Sequence, residues 1–226
     1  MKPEIIVMLT HNDMTVKDAS TIFDSCSDLS VKYWGFKDVG IPHSEMAALS
    51  KKMKDAGKTT VLEVVTFTEE SCMQAAHLAY DCGIDYLTGT VFFPSVMDFV
   101  KEKKIKFYPF CGKVQANPTI TLTGDVEEIV ADCKKLKQRG VDGVDLVAYR
   151  SQNADPVDLT KKVIEAVGSE NVIIAGSINS LERMQLMNEI GPFAYTMGSA
   201  LFESKFVVGG SFGANLEFVV QAHKRM

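Results

Sequence analysis

The sequence predicts a single-domain (βα)8 barrel, a TIM barrel, over residues 1–226 with a parallel eight-stranded core. Three observations predict it. Eight short apolar runs alternate with amphipathic segments along the whole chain. The runs are apolar on both faces, as strands of a buried parallel sheet must be. Their spacing, about 27 residues on average, suits strand–helix units that close on themselves. An open doubly wound sheet is the rival architecture. It would carry a glycine-rich dinucleotide loop after its first strand. Here the first run ends Leu9-Thr10-His11-Asn12-Asp13 instead.

The runs begin at Glu4 (EIIVMLT), Val31 (VKYWGFK), Thr59 (TTVLEVV), Asp85 (DYLTGTVF), Lys106 (KFYPFC), Gly143 (GVDLVAY), Val172 (VIIAG) and Phe193 (FAYTMG). The segments between them carry helix start and stop signals. Thr15 is placed to cap the first helix, with Asp18 at its third position. The second helix begins after Pro42 and stops at Gly57. The third starts near Thr68, with Glu69 and Glu70 in its first turn, and stops at Gly83. The fourth follows Pro94, and the basic run Lys101 to Lys106 is its solvated end. Asp125 and Glu128 form a capping-box pair for the fifth, which ends at Gly140. Asp155-Pro156 opens the sixth, ending near Gly168, and Ser180 opens the seventh, ending at Gly191. A last amphipathic segment runs from about Phe212 to the C-terminus. The one long connection, Gly112 to Gly124, follows the fifth strand on the side where barrels keep their chemistry. It is expected to close over the site.

Composition excludes several classes. The net charge is −5 and no basic cluster is large, which argues against a nucleic-acid partner. No apolar run reaches membrane-spanning length, so no membrane partner is expected. The N-terminus carries no signal-peptide pattern. Five cysteines without a CxxC pair fit free thiols, and the expected location is a reducing cytoplasm. A homo-oligomer, by default a homodimer, is expected. The histidines and carboxylates show no close metal-ligand spacing, so neither a metal nor another cofactor is expected.

A charged strand residue in a barrel is most safely placed inside, near the C-terminal mouth. Glu63, Lys37 and Asp145 meet that test, and His11 closes the first strand. Lys113 and Arg150 follow the fifth and sixth strands and are candidates for holding substrate. The second and third strands are neighbours, so Lys37 and Glu63 can meet across the mouth. A carboxylate and an ammonium there suit proton transfer beside a carbonyl, with Glu63 or Asp145 as base. Lys37 can act as an electrophile, or as an imine-forming amine if desolvated. The structural alternative is a buried ion pair or a hydrogen-bonded carboxylate with no chemical role.

The last two runs end in Gly176-Ser177 and Gly198-Ser199. Glycine leaves the backbone N–H groups unobstructed, and two such turns side by side form an anion pocket. In parallel barrels a phosphate site often lies on the loops after the last two strands. On these residues, Gly176-Ser177-Ile178 and Gly198-Ser199-Ala200, the final quarter resembles the ribulose-phosphate-binding (βα)8 barrels. That superfamily includes phosphosugar epimerases, isomerases, aldolases and decarboxylases. The resemblance implies that the two corners hold the phosphate of a small phosphorylated metabolite.

Two narrower likenesses accompany it. Phe36-Lys37-Asp38-Val39-Gly40-Ile41-Pro42 resembles the lysine–aspartate signature of the orotidine-phosphate and ketogulonate-phosphate decarboxylases. Gly35 and Gly40 stand where that signature has its flanking aspartates, which argues against decarboxylation by that array. Lys37-Asp38 with Leu62-Glu63-Val64 resembles quinolinate phosphoribosyltransferase, whose N-terminal domain and arginine-rich pocket this chain lacks. The expected function is therefore isomerase, epimerase, aldolase or decarboxylase chemistry on a small phosphorylated sugar or keto acid. The alternatives are a barrel that binds a phosphometabolite without turning it over, and a quinolinate-phosphoribosyltransferase-like transferase.

Overall fold

The structure, a computed structural model, describes residues 2–116 and 119–226. Eight strands form one parallel sheet: β1 (Glu4–Met8), β2 (Tyr33–Lys37), β3 (Thr59–Thr66), β4 (Tyr86–Thr90), β5 (Lys106–Tyr108), β6 (Val144–Leu146), β7 (Val172–Ile174) and β8 (Ala194–Met197). Each lies in its own apolar run. Their hydrogen-bonded order is β6-β7-β8-β1-β2-β3-β4-β5. A parallel bridge between Phe110 and Asp145 joins β5 to β6, and the Asp145 N–H donates to Pro109 O at 2.9 Å. The sheet thereby closes into a barrel.

Around it pack α1 (Ala19–Cys26), α2 (His43–Asp55), α3 (Glu69–Asp81), α4 (Pro94–Glu102), α5 (Val126–Gln138), α6 (Pro156–Val167), α7 (Leu181–Ile190), the four-residue α8 (Ser199–Phe202) and α9 (Phe212–Arg225). Local chemistry sets several ends. Asp125 accepts from Glu128 N while Glu128 reaches back to Asp125 N, so the expected capping box forms. Thr68 and Ser71 form a second one on α3. Gly191 ends α7 in the left-handed region at φ 74°.

Strand alternation sorts the side chains into two cores. The larger lies between barrel and helices and holds Trp34, Phe36, Leu62 and Leu87. The smaller fills the barrel and holds Ile6, Met8, Tyr33, Val61, Tyr108, Ile173 and Ala194. Its floor is aromatic: Phe193 lies 5.6 Å from Tyr33, 6.2 Å from Tyr86 and 6.1 Å from Tyr108, ring centre to centre. The parallel register sets Tyr33 beside Thr59, Gly35 beside Val61 and Lys37 beside Glu63. Period-two geometry sends all three pairs inward. The barrel is therefore plugged at its N-terminal end and becomes charged toward its C-terminal mouth.

Two expected elements differ. Thr15 does not cap α1. It belongs to a hairpin, Thr10–His11 against Met14–Thr15, turned by Asn12 and Asp13 at φ 50° and 59°. Consecutive left-handed residues suit Asn and Asp and give a tight two-residue turn. The Thr15 hydroxyl instead bonds the Lys37 backbone, donating to its carbonyl at 2.8 Å and accepting from its N–H at 2.9 Å. The connection from Gly112 to Gly124 is an antiparallel hairpin, Lys113–Ala116 against Ile120–Thr123. Its outer arm is tied to the barrel, with Gln152 N–H donating to Leu122 O at 3.0 Å. Residues 117 and 118 lie outside the described residues.

Candidate active site at the barrel mouth

β2 and β3 end in register, so Lys37 and Glu63 stand side by side inside the mouth. The Lys37 Nζ lies 3.4 Å from Glu63 Oε1 and donates to Asp13 Oδ1 at 2.8 Å. Lys37 is 5% exposed and Glu63 9%. Burial alone pushes the Lys37 pKa down. The Glu63 carboxylate and the Asp13 hydrogen bond outweigh it, and the net direction is up. Burial likewise pushes the Asp13 carboxyl up, but Lys37, with the more distant Arg150, brings it below its ordinary value. The ammonium is thus clamped in its charged form between two carboxylates.

Gly89 on β4 makes room for Glu63. A Cβ there would come within 2.9 Å of Glu63 Cγ and 3.0 Å of Val64 O, and its φ of 81° is a glycine conformation.

Asp145 on β6 is 1% exposed. Its Oδ1 has no hydrogen-bond partner among the described residues. Burial, then the Glu63 charge, push its pKa well above the usual carboxylate range; Lys37 acts in the opposite direction without prevailing. Asp145 does not line the mouth cavity itself.

That cavity holds about 230 Å3. It is lined by Lys37, Glu63 and Asp13 on one side and by Arg150, Gly176-Ser177 and Gly198-Ser199 on the other. The two corners at the ends of β7 and β8 therefore face one space. Gly176 and Ser177 are both left-handed, at φ 75° and 64°. Gly176 N–H donates to Thr196 Oγ1 at 2.9 Å, so this donor is engaged within the protein. Arg183 on α7 braces the same corner by donating to Ser177 O and, at 3.3 Å, to Asn179 Oδ1. Gly198 is needed for a close approach: a Cβ would sit 2.9 Å from Thr10 O and 3.0 Å from Met8 O. Arg150 lies directly over the first corner, its Nε 3.2 Å from the place a Gly176 Cβ would take. No salt bridge engages Arg150 among the described residues.

Two expected site residues lie elsewhere. His11 stacks on Phe202 at 5.6 Å with its Nε2 3.7 Å from Glu203, and it does not line the cavity. Lys113 projects from the outer hairpin, exposed, 3.5 Å from Glu128. It lies apart because the hairpin turns its first arm toward α5. Asp13, Thr196 and Glu203 also line the cavity, beyond the residues expected from the sequence. A signal existed for Asp13: an Asn-Asp pair directly after the first barrel strand marks a tight turn at the mouth. Among the described residues no group of three His, Cys, Asp or Glu side chains is placed to hold a metal ion. No helix among them is long and apolar enough to cross a membrane.

No protein-family model matches the chain, and no curated protein matches it in sequence. Solved structures do resemble it. The native KDPGal structure superposes with a TM-score of 0.70 at 12% identity, covering 100% of this chain and 96% of that one. Orotidine 5'-phosphate decarboxylase from Pyrococcus horikoshii OT3 gives 0.70 at 10% identity, over 97% of this chain and 99% of that one. The N-acetylmannosamine-6-phosphate 2-epimerase from Clostridium perfringens gives 0.64 at 10% identity, over 87% and 86%. What they share with the chain is the fold, a (βα)8 barrel.

Proposed function

We propose that this barrel is an enzyme acting on a small phosphorylated sugar or keto acid by acid–base chemistry at its mouth. One observation carries the reading: Arg150, both Gly-Ser corners and the Lys37–Glu63 pair line a single cavity. Ser177, Ser199 and Arg150 hold the phosphate, with Gly176 and Gly198 shaping the two corners. Glu63 takes a proton from the carbon beside a carbonyl, and Lys37, kept as an ammonium, stabilises the negative charge that develops. Two fold neighbours carry phosphorylated substrates in their names, a 6-phosphate and a 5'-phosphate. The raised Lys37 pKa favours an electrostatic role over imine formation, which needs a neutral amine. Five buried free thiols fit a reducing cytoplasm, and the expected assembly is a homodimer.

The test is solvent deuterium exchange, followed by NMR, over a panel of phosphorylated sugars and keto acids. At least one member is expected to take up deuterium beside its carbonyl. Glu63→Gln is expected to slow that uptake by about 10²- to 10⁴-fold. Full uptake in that variant removes Glu63 as the base. Binding without uptake by any member favours a non-catalytic phosphometabolite barrel. Borohydride added with the active compound is expected to leave Lys37 unmodified.

A further inference from the structure

The Asp13–Lys37 pair has open space on both of its sides. A second recess of about 260 Å3 begins on its far side, and Asp13, Lys37 and Ile120 line both spaces. Its remaining walls include Val39, Val65 and Asp38. Val65 lines the recess past the β-bulge that interrupts β3 between Glu63 and Thr66. Val39 is 45% exposed, which leaves its side chain open to a ligand.

The two spaces differ in charge. The Gly-Ser side offers Arg150, in no salt bridge among the described residues, and Glu203, the carboxylate on that side, is paired with Lys205 at 3.4 Å. Among the described residues the recess has one cation, Lys37, already held by Asp13 and Glu63. Asp13 and Asp38 add carboxyl groups there, so a phosphate dianion in the recess would meet repulsion with no free cation to offset it. Three aliphatic side chains, Val39, Val65 and Ile120, form the apolar part of its walls, beside Ala116, Thr119 and the charged Asp13, Lys37 and Asp38. An apolar cavity of about 150 Å3 already holds a benzene-sized group.

We infer that the substrate is two-ended: its phosphate lies toward Arg150, its reacting carbon passes Lys37 and Glu63, and its far end is an uncharged, mainly apolar substituent seated between Val39, Val65 and Ile120. This rests on the functional reading above and narrows it. It selects a phosphorylated keto compound with an alkyl or aryl end over a polyhydroxylated sugar chain. Val39 and Val65 are then the specificity-determining residues.

Titration calorimetry with inorganic phosphate, a series of n-alkyl phosphates from butyl to octyl, and sorbitol 6-phosphate tests it. Once the chain is long enough to pass Lys37, each added methylene is expected to tighten binding about fourfold. Sorbitol 6-phosphate is expected to bind more weakly than hexyl phosphate. Val65→Thr keeps the side-chain shape and is expected to flatten the chain-length series. Val39→Asp, at an exposed position where folding is not at risk, is expected to do the same. A series that is flat in the unchanged protein, or tighter binding of sorbitol 6-phosphate, overturns the inference while leaving the phosphate site standing. If no phosphate compound binds, or Arg150→Ala binds inorganic phosphate as well as the unchanged protein, the functional reading fails and takes this inference with it.

Discussion

Asp145 shows how the site's electrostatics trade against stability. Its carboxyl is buried with one oxygen unpartnered among the described residues and Glu63 nearby, and its folded pKa stands well above 3.8. In the unfolded chain it ionises near that ordinary value. Between the two pKa values folding must therefore take up a proton, and stability falls as pH rises through that window. Below pH 4 both states are protonated and nothing is lost. Asp145→Asn removes the titration while nearly keeping the shape. Its Tm is expected to exceed that of the unchanged protein at pH 7, and to match it below pH 4. Equal gains at both pH values would mean the aspartate is not protonated in the folded state. Lys37 and Asp13 run the other way. The Lys37 contribution is complete below pH 10.5 and is lost only as pH climbs through its raised folded pKa. The Asp13 contribution is present above 3.8 and is lost in acid. The clamp that holds the ammonium is thus intact across the neutral range.

At the level of elements, what could be read from the chain was what local sequence decides. Asp125 with Glu128, Ser180 and Gly191 mark helix ends because their hydrogen bonds reach only three or four residues along. Thr15 does not act as a cap because its partner, Lys37, is 22 residues away on another strand. Lys37 and Glu63 could be paired in advance because consecutive barrel strands are neighbours. Lys113 could not be placed, since only the register of the hairpin decides which way it points. The loop between α8 and α9 is a further element that pattern alone does not reveal. Asn215, fully buried in α9, accepts from Phe206 N–H at 3.0 Å and Val207 N–H at 2.8 Å. Its amide donates to Ser211 O at 2.9 Å and Gly210 O at 3.2 Å. One side chain thus replaces the sheet partners this segment lacks, just after the second Gly-Ser corner. Asn215→Ala is expected to cost about 2–4 kcal/mol, since several buried bonds are lost at once. Amide exchange at Phe206 and Val207 should rise to unprotected rates. Protection unchanged in the variant would show that packing, rather than Asn215, orders the loop.

For the whole molecule, the two ends of the barrel divide the work. The aromatic floor of Tyr33, Tyr86, Tyr108 and Phe193 closes one end and packs the barrel interior. The other end keeps its charges around an open cavity, where no salt bridge engages Arg150 among the described residues. An anion bound there would bridge three parts of the fold: the ends of β7 and β8 and the residues after β6 that carry Arg150. It would bind the folded chain only, because the unfolded chain does not bring these parts together. At a hundred times its dissociation constant, such a ligand stabilises by about 2.7 kcal/mol. For a domain of about 150–250 residues each kcal/mol raises Tm by about 2–4 °C, so phosphate should raise Tm by about 5–11 °C. Sodium chloride at matched ionic strength supplies the control, because general screening acts on every exposed charge alike. Arg150→Ala is expected to remove most of the shift, and Lys113→Ala to leave it intact, since Lys113 lies outside the cavity beside Glu128. A shift that survives loss of Arg150 but disappears with Lys113 would move the anion site from the mouth to the outer hairpin.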